Sequence, residues 1–368
     1  MLEKKDFYGN KFTYTKDGVL VNSKKVIKPK TLCKFFSIAK YNLDAFSENY
    51  LYASHPFELN DLLDSSGKIL NFDDFDLEEK QKIFESFFDS GTSEKTKIKH
   101  LKNAKNSNFK LLNEVYFDNY SRCLGNISFV KSEENTDRGF KNTLMWSHYS
   151  GHNGFCVEFD VDILLDYRCL NEKVKGVFFR PMQYVEEIEV LNLKKEIDFE
   201  KDKLVPFLYA TTVKKNDWDY ENEYRLTVFK EDMSVPLIKR SSMYEDKKGV
   251  DKGRYFRYSE NAIKRIFIGR NFLNSKFIKF EKTNDFLFFD LIKFNDSVDQ
   301  NECERIKVKN EYEIFKQFMS ILFEKYSKKI YLMTDEVEDG KLIIKPHKLE
   351  IEKLEEGRFR FIDTSKKE

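Results

Sequence analysis

Leu144-Met145-Trp146-Ser147-His148-Tyr149-Ser150-Gly151-His152-Asn153-Gly154-Phe155-Cys156-Val157-Glu158-Phe159-Asp160 is the stretch on which the reading of this chain turns. It holds one of the two tryptophans and two of the five histidines. Asn142 to Tyr149 predicts one or two helical turns. Gly151 and Gly154 bracket a turn. Its tight part is His152-Asn153-Gly154, which calls for permissive backbone geometry at Gly154. Phe155 to Phe159 alternates as a strand.

Working outward, further strands are predicted at Leu32 to Phe36, Tyr50 to Ser54, Arg122 to Val130, Val174 to Phe179, Tyr224 to Phe229, Ile263 to Ile268, Ile330 to Met333, Leu342 to Ile344 and Phe359 to Ile362. Helical stripes run over Ala39 to Asn49, Leu77 to Asp89, Thr96 to Tyr116, Phe199 to Lys215 (disturbed at Pro206) and Tyr312 to Tyr326. Strands come in clusters with helices between the clusters, and do not alternate as βαβαβ. That predicts an α+β fold with a mixed, mostly antiparallel central sheet, flanking helices and a helical insertion. The chain has 6 prolines and 14 glycines, and neither a long linker nor a repeat. It reads as a single domain over 1–368, with a helical insertion at 76–120 and a C-terminal helix and strands completing the fold at 311–368.

The composition narrows the function classes. At 368 residues, 40% hydrophobic and 15% aromatic, the chain has enough bulky apolar side chains to exclude wholesale disorder. Its net charge of +1 removes the global argument for nucleic-acid binding and leaves only local basic patches. Lysine supplies 51 of the 64 basic residues, so runs such as Glu94 to Lys99 read as solvated faces and the scarce arginines carry more information. Cys33, Cys123, Cys156, Cys169 and Cys303 form no C-x-x-C pair. They fit buried thiols in a reducing cytoplasm. No secretory leader follows Met1, and no apolar run is long enough to span a bilayer, so a cytoplasmic protein without a membrane partner is expected. Neither a G-x-G-x-x-G after a strand nor a P-loop is present.

Three stretches combine rare residues. They are Ser54-His55-Pro56-Phe57-Glu58-Leu59-Asn60-Asp61, Met145 to Asp160, and Trp218-Asp219-Tyr220-Glu221-Asn222-Glu223-Tyr224-Arg225. Together they resemble a bacterial family known only as domain of unknown function 2971 (DUF2971). Its pattern is "Ser-x-Pro-x-x-x-Asn-Asp", then "Met-Trp-x-His-Tyr-x-x-x-x-Gly" leading to an acidic strand end, then "Trp-x-x-Glu-x-Glu-Tyr-Arg". Ile266-Phe267-Ile268-Gly269 is similar to the family's late strand. The resemblance spans about residues 31 to 345, with Leu62 standing where the family often has proline. It implies no particular reaction.

The residues themselves suggest chemistry. If Glu221, Glu223 and Arg225 lie on a strand, alternation puts all three on one face, where Arg225 can hold a carboxylate in a bidentate pair. One reading is an ion pair that pins a sheet. Another is a cleft in which a carboxylate acts as base or grips a ribose. A Glu-x-Glu on a strand resembles ADP-ribosyltransferases. That likeness implies Glu223 or Glu221 as the ribose-gripping glutamate, Tyr52 or Ser54 as the middle-strand residue, and NAD as cosubstrate; the first-strand His or Arg of that superfamily has no clear counterpart here, where the local sequence offers Lys34. The expected catalytic residues are therefore Glu223, Glu221 and His148. The expected ligand-binding residues are Tyr52, Ser54, Asn60, Asp61, Trp146, Tyr149, Trp218 and Arg225. The leading expectation is a nucleotide- or NAD-using enzyme, serving as a toxin or anti-phage effector. The alternatives are a magnesium nuclease built on Asp61, Glu158, Glu221 and Glu223, or a non-enzymatic module that binds a small ligand or partner. His148, His152 and Cys156 are spaced as helical metal ligands, but Gly151 and Gly154 break that helix. A hydrogen-bonded His148 beside Trp146 is the favoured reading, with no metal site.

Overall fold

The computed structural model of the protein describes residues 2–7, 10–15, 18–21, 29–56, 59, 61, 63–88, 92–132, 139–169, 177–196, 205–229, 254–282, 286–291, 302–355 and 358–363. The first part of the chain forms β1 (Leu2–Phe7), β2 (Asn10–Thr15), β3 (Gly18–Val21), β4 (Thr31–Phe36), α1 (Lys40–Ser47), β5 (Tyr50–Tyr52), β6 (Leu70–Asn71), α2 (Leu77–Glu85), α3 (Glu94–Asn106), α4 (Leu112–Cys123) and β7 (Leu124–Lys131). The middle forms α5 (Thr143–Ser150), β8 (Phe155–Asp160), α6 (Val161–Cys169), β9 (Val177–Pro181), β10 (Gln183–Val185), β11 (Leu191–Asn192), α7 (Leu193–Glu196), α8 (Val205–Ala210), β12 (Val213–Lys215) and β13 (Glu223–Phe229). The last part forms β14 (Tyr255–Arg257), β15 (Ile263–Ile268), β16 (Ile278–Lys282), β17 (Phe286–Leu291), α9 (Glu302–Tyr326), β18 (Ile330–Glu338), β19 (Lys341–Glu355) and β20 (Arg358–Asp363). The fold is α+β. The chain divides into two compact units, one of residues 1–27, 52–128 and 173–256, the other of 28–51, 129–172 and 257–368.

The first unit opens with an antiparallel meander of β1, β2 and β3. Its sheet strands run in the order β7, β13, β9, with β13 and β9 antiparallel. Two short parallel pairs, β10 with β12 and β11 with β6, also belong to it. Its helices pack on an apolar cluster that includes Ile83, Phe109, Leu112, Tyr116, Phe117, Phe207 and Leu208. Phe117 and Phe207 lie 5.1 Å apart, and the Tyr116 hydroxyl accepts from Phe207 N at 3.2 Å. α2 starts on a reciprocal capping box between Asp76 and Glu79.

The second unit carries the larger sheet, in the order β16, β17, β20, β19, β18, β15, β8, β4, closed by residues 130–131 of β7. Every neighbouring pair is antiparallel except β15 with β18. β8 is central and buried along nearly its whole length. Phe155 anchors it, 5.1 Å from Phe36, 5.1 Å from Phe46 on α1 and 4.9 Å from Phe318 on α9. α9 presents Phe315, Phe318, Met319, Leu322 and Tyr326 inward at helical spacing. Among the described residues, no helix is long and apolar enough to cross a membrane.

Several element boundaries differ from the sequence expectation. The helix expected over Thr96 to Tyr116 is two helices, α3 and α4, separated by Asn108 and Phe109 at φ 53° and 55°. The helix expected to reach Lys215 stops at Ala210. The Thr211 hydroxyl donates to the Phe207 carbonyl at 3.0 Å, and the chain then enters β12 to pair with β10. β18 and β19 form a longer hairpin than their apolar cores announce. Residues 174–176, from the strand expected at Val174 to Phe179, lie outside the described residues, as do 197–204 and Asn60.

Candidate functional site

β13 begins at Glu223, directly after a 3-10 turn over Asn216–Glu221. Asn222 joins the two in the left-handed region, at φ 45°. Glu221 is therefore not a strand residue. The reversal at Asn222 ends the pleat, and strand alternation relates only Glu223, Arg225 and Thr227. The other face of β13 turns Tyr224 onto Phe179, 5.4 Å away.

Glu223 and Arg225 nevertheless meet Glu221 in one buried charge cluster. Arg225 is fully buried, and its Nη1 and Nη2 donate to the two oxygens of Asp64 at 2.9 and 2.7 Å. Its Nε donates to Glu223 at 2.8 Å and Nη2 to the other Glu223 oxygen at 3.1 Å. Lys214, on β12, donates to Glu221 at 2.7 Å and Glu223 at 3.1 Å, and lies 3.6 Å from Asp64. Arg180, directly opposite Arg225 in the β13–β9 register, bonds the Thr211 and Thr227 hydroxyls at 2.7 and 3.2 Å. Among the described residues, three carboxylates thus pair with Lys214 and Arg225, and a third cation, Arg180, stands beside them on hydroxyls and balances the charge count. Each pairing is charge-assisted in a site that excludes water, where an unmatched member would be costly.

The titration of the cluster follows from this pairing. Burial alone would push the Glu223 carboxyl up, but the Arg225 and Lys214 charges and the hydrogen bonds from Arg225 and Ser128 hold it well below the usual carboxylate range. Burial would lower Lys214 and Arg225, yet the carboxylates raise both. Arg180 is pulled down to about 9 by burial and by the Arg225 charge, which leaves it protonated at neutral pH. Tyr184 is raised by burial and by the Glu223 charge, while its hydroxyl accepts from Glu223 N at 2.9 Å.

A depressed folded-state pKa gives a definite sign. Glu223 stabilises the fold fully above its unfolded value, near 4.5, and that stabilisation is lost as pH falls through and below this value. The urea midpoint of the wild type is therefore expected to fall between pH 6 and pH 3 more steeply than that of Glu223→Gln. Equal slopes in the two proteins would rule out this assignment.

The rim of the cluster is aromatic. The Lys214 ammonium lies 5.1 Å from the half-buried Trp218 ring, and Trp218 lies 6.1 Å from half-buried Tyr220. A second polar thread reaches β13 from the early motif. Ser54 and Asn126 exchange backbone bonds at 2.8 and 2.9 Å, and Asn126 Oδ1 accepts from Thr227 at 2.6 Å. Tyr52 is 39% exposed. Asp61 accepts from Leu63 N at 2.9 Å as a turn residue, and its other carboxylate oxygen is buried without a partner among the described residues. The acid that joins the cluster from this region is Asp64. No motif marked it; the signal was a scarce arginine whose second fork needed a carboxylate.

Trp146, His148 and Tyr149 belong to the second unit, on α5. The Asn142 side chain caps this helix, and left-handed Gly151 ends it. Trp146 is buried, donates to the Phe140 carbonyl at 2.7 Å and meets Phe35 edge-on at 5.1 Å. His148 is exposed and Tyr149 half-buried. The left-handed residues of the turn are Gly151 and His152, and Gly154 serves a different need. A Cβ there would come within 2.1 Å of the Phe36 carbonyl oxygen. Cys156 is buried, and burial together with its hydrogen bond to Cys33 raises its thiol. Glu158, fully buried, is held by Arg265 at 2.5 and 2.9 Å and by Ser132 at 3.0 Å. Lys34 lies 5.9 Å from the rings of Phe36 and Phe129. Among the described residues, no three His, Cys, Asp or Glu side chains gather in a metal-holding group.

Fold and site together define an α+β protein with a buried, internally balanced charge cluster under an aromatic turn. The segment that carries this turn is similar to a known family: the family model described as "Protein of unknown function (DUF2971)" matches residues 145–226. That segment runs from α5 through β8 to β13, so it contains two of the three motif stretches. Searches of the curated proteins and of the solved structures each found no match.

Proposed function

We propose that the first unit is a nucleotide-binding module whose ligand rests on the Asn216–Glu221 turn. The observation that carries this reading is the Lys214 ammonium, which sits 2.7 Å from Glu221 and 5.1 Å from the Trp218 ring. The buried cluster fixes the backbone under a half-buried pair of rings, and a flat heteroaromatic base gains by stacking on such rings. Asp217 and Asp219 on the same turn are exposed, and acidic groups suit ribose hydroxyls.

The enzymatic form of this reading is NAD-using ADP-ribosyl transfer, in keeping with a toxin or anti-phage effector. Glu223 already receives Arg225, Lys214 and Ser128, so its role is to hold the others in place. Glu221 ends the turn beside the rings and is the carboxylate assigned to the ribose. The non-enzymatic reading is favoured by one observation: Asp64, Glu221 and Glu223 each have a cationic partner inside the protein. On that reading the cluster is a clamp and the turn binds without turnover. The magnesium reading gains no support from Glu221 and Glu223, whose oxygens meet Lys214 and Arg225.

Thermal shift and nicotinamide release on the intact chain separate these readings. NAD is expected to raise the melting temperature by selective binding to the folded state. Glu221→Gln is expected to lower nicotinamide release about 100-fold or more with the fold intact. A shift without turnover selects the binding module. No shift with NAD, ADP-ribose or ATP overturns both.

A further inference from the structure

α3 differs from the helices beside it. α2 and α4 both send side chains into the apolar cluster of the first unit, whereas α3 buries no residue fully. Its inner line is Lys97, Leu101 and Ala104, all half-buried, and the last two touch that cluster. The opposite line, at i, i+4 and i+7, is Lys95, Lys99 and Lys102, flanked by Lys105 and Ile98. All five are exposed, Ile98 at 65%. The helix is started by its own Ser93 cap.

The charge on this face is concentrated. Residues 93–110 hold six lysines and one glutamate, in a chain where lysine is 51 of 368 residues and the net charge is +1. Lys97 pairs with Glu94 at 2.9 Å. Among the described residues, Lys95, Lys99, Lys102, Lys105 and Lys110 have no carboxylate partner. The fold gains no packing from this outer row, and its like charges repel. An external polyanion relieves that repulsion.

We propose that the outer face of α3 docks the phosphate backbone of a nucleic-acid duplex. Lys95 to Lys105 covers about 15 Å of helix at 1.5 Å per residue. Over that length one duplex strand presents about four phosphates. No arginine lies in 93–110 to read a base edge bidentately, so the contact is made to phosphates and is independent of sequence. A bilayer surface fits less well, because a helix lying in a membrane needs an outward apolar face. Here Leu101 and Ala104 face the core and Ile98 alone faces out.

The test uses the full-length chain with fluorescein-labelled DNA and RNA duplexes of mixed sequence. Fluorescence anisotropy is read across a salt series, and phosphatidylserine vesicles serve as a third ligand. Four phosphate contacts predict a slope of log affinity against log salt of about −3.6, or about a 150-fold loss between 50 and 200 mM. The variant Lys95→Gln/Lys99→Gln/Lys102→Gln/Lys105→Gln is expected to lose that slope with an unchanged melting temperature, since glutamine matches lysine in helix propensity. Three results overturn the proposal: no binding to either duplex at 50 mM salt, the same affinity and slope in the variant, or binding to vesicles alone.

Discussion

Arg225→Met is expected to destabilise the protein by about 3–5 kcal/mol, measured as the shift of its urea midpoint against wild type. The side chain it replaces is fully buried and holds both Asp64 and Glu223, each through two nitrogens. Methionine preserves the apolar volume, so the cost is electrostatic. Two carboxylates stay out of water with Lys214 left to serve three acids. Arg180 lies opposite position 225 in register, but it bonds the Thr211 and Thr227 hydroxyls and the Thr211 carbonyl. Removing the acids together with the arginine separates this mechanism from simple loss of packing. Arg225→Met/Asp64→Asn/Glu223→Gln is expected to recover part of the loss, because neutral amides are cheaper to bury unpaired than carboxylates. A triple variant no more stable than the single one would mean that packing, and not unmatched charge, sets the cost.

How much of this was legible in the sequence depends on whether the signal was local. The strand at Phe155 to Asp160, the capped helix before it and the strand at Ile263 to Ile268 announced themselves through apolar runs bounded by Gly151, Gly154 and Gly269. Asn108 and Phe109 did not, because a phenylalanine at φ 55° is unfavourable on its own terms. Only the burial of Phe109 among the helices of the first unit compensates for it. The ends of β18 and β19 were hidden for a different reason. Asp335, Glu336 and Glu338 look like loop residues, yet cross-strand pairs such as Lys345 with Glu338, at 3.0 Å, hold them in a ribbon. At the candidate site, the sequence singled out Glu221, Glu223, Arg225 and Trp218, and related the first three by a single pleat. The left-handed Asn222 breaks that pleat, and Lys214, Asp64 and Arg180 enter through tertiary pairing from three other segments. Buried charge is decided by who the partners are, and partners distant in sequence carry no periodicity.

Gly154→Ala is expected to prevent the second unit from reaching its native packing, with a loss of more than about 3 kcal/mol or recovery only as insoluble protein. Ordinary overpacking of a core costs about 1–3 kcal/mol because side chains shift to make room. Here the obstacle is backbone. The added methyl would sit 2.1 Å from the Phe36 carbonyl oxygen and 2.8 Å from Ser150 Cβ. Neither can swing aside: Phe36 is the last residue of β4, paired with Phe155 in β8, and Ser150 closes α5 with its hydroxyl on the Trp146 carbonyl at 2.7 Å. The neighbouring glycine repeats the constraint. Gly269 N donates to the Gly154 carbonyl at 2.9 Å, and a methyl on Gly269 would meet the His152 carbonyl oxygen at 2.2 Å. The glycine that ends the Met-Trp-x-His-Tyr motif and the glycine of the Ile-Phe-Ile-Gly strand are therefore halves of one close contact between β8, β15 and the turn after α5. Gly151→Ala is the control, since nothing lies within 4 Å of its missing Cβ and only its φ of +58° opposes the change. That substitution is expected to cost about 1 kcal/mol. Comparable melting temperatures for Gly154→Ala and Gly151→Ala would show that this contact yields, and that the motif glycine is held for something other than space.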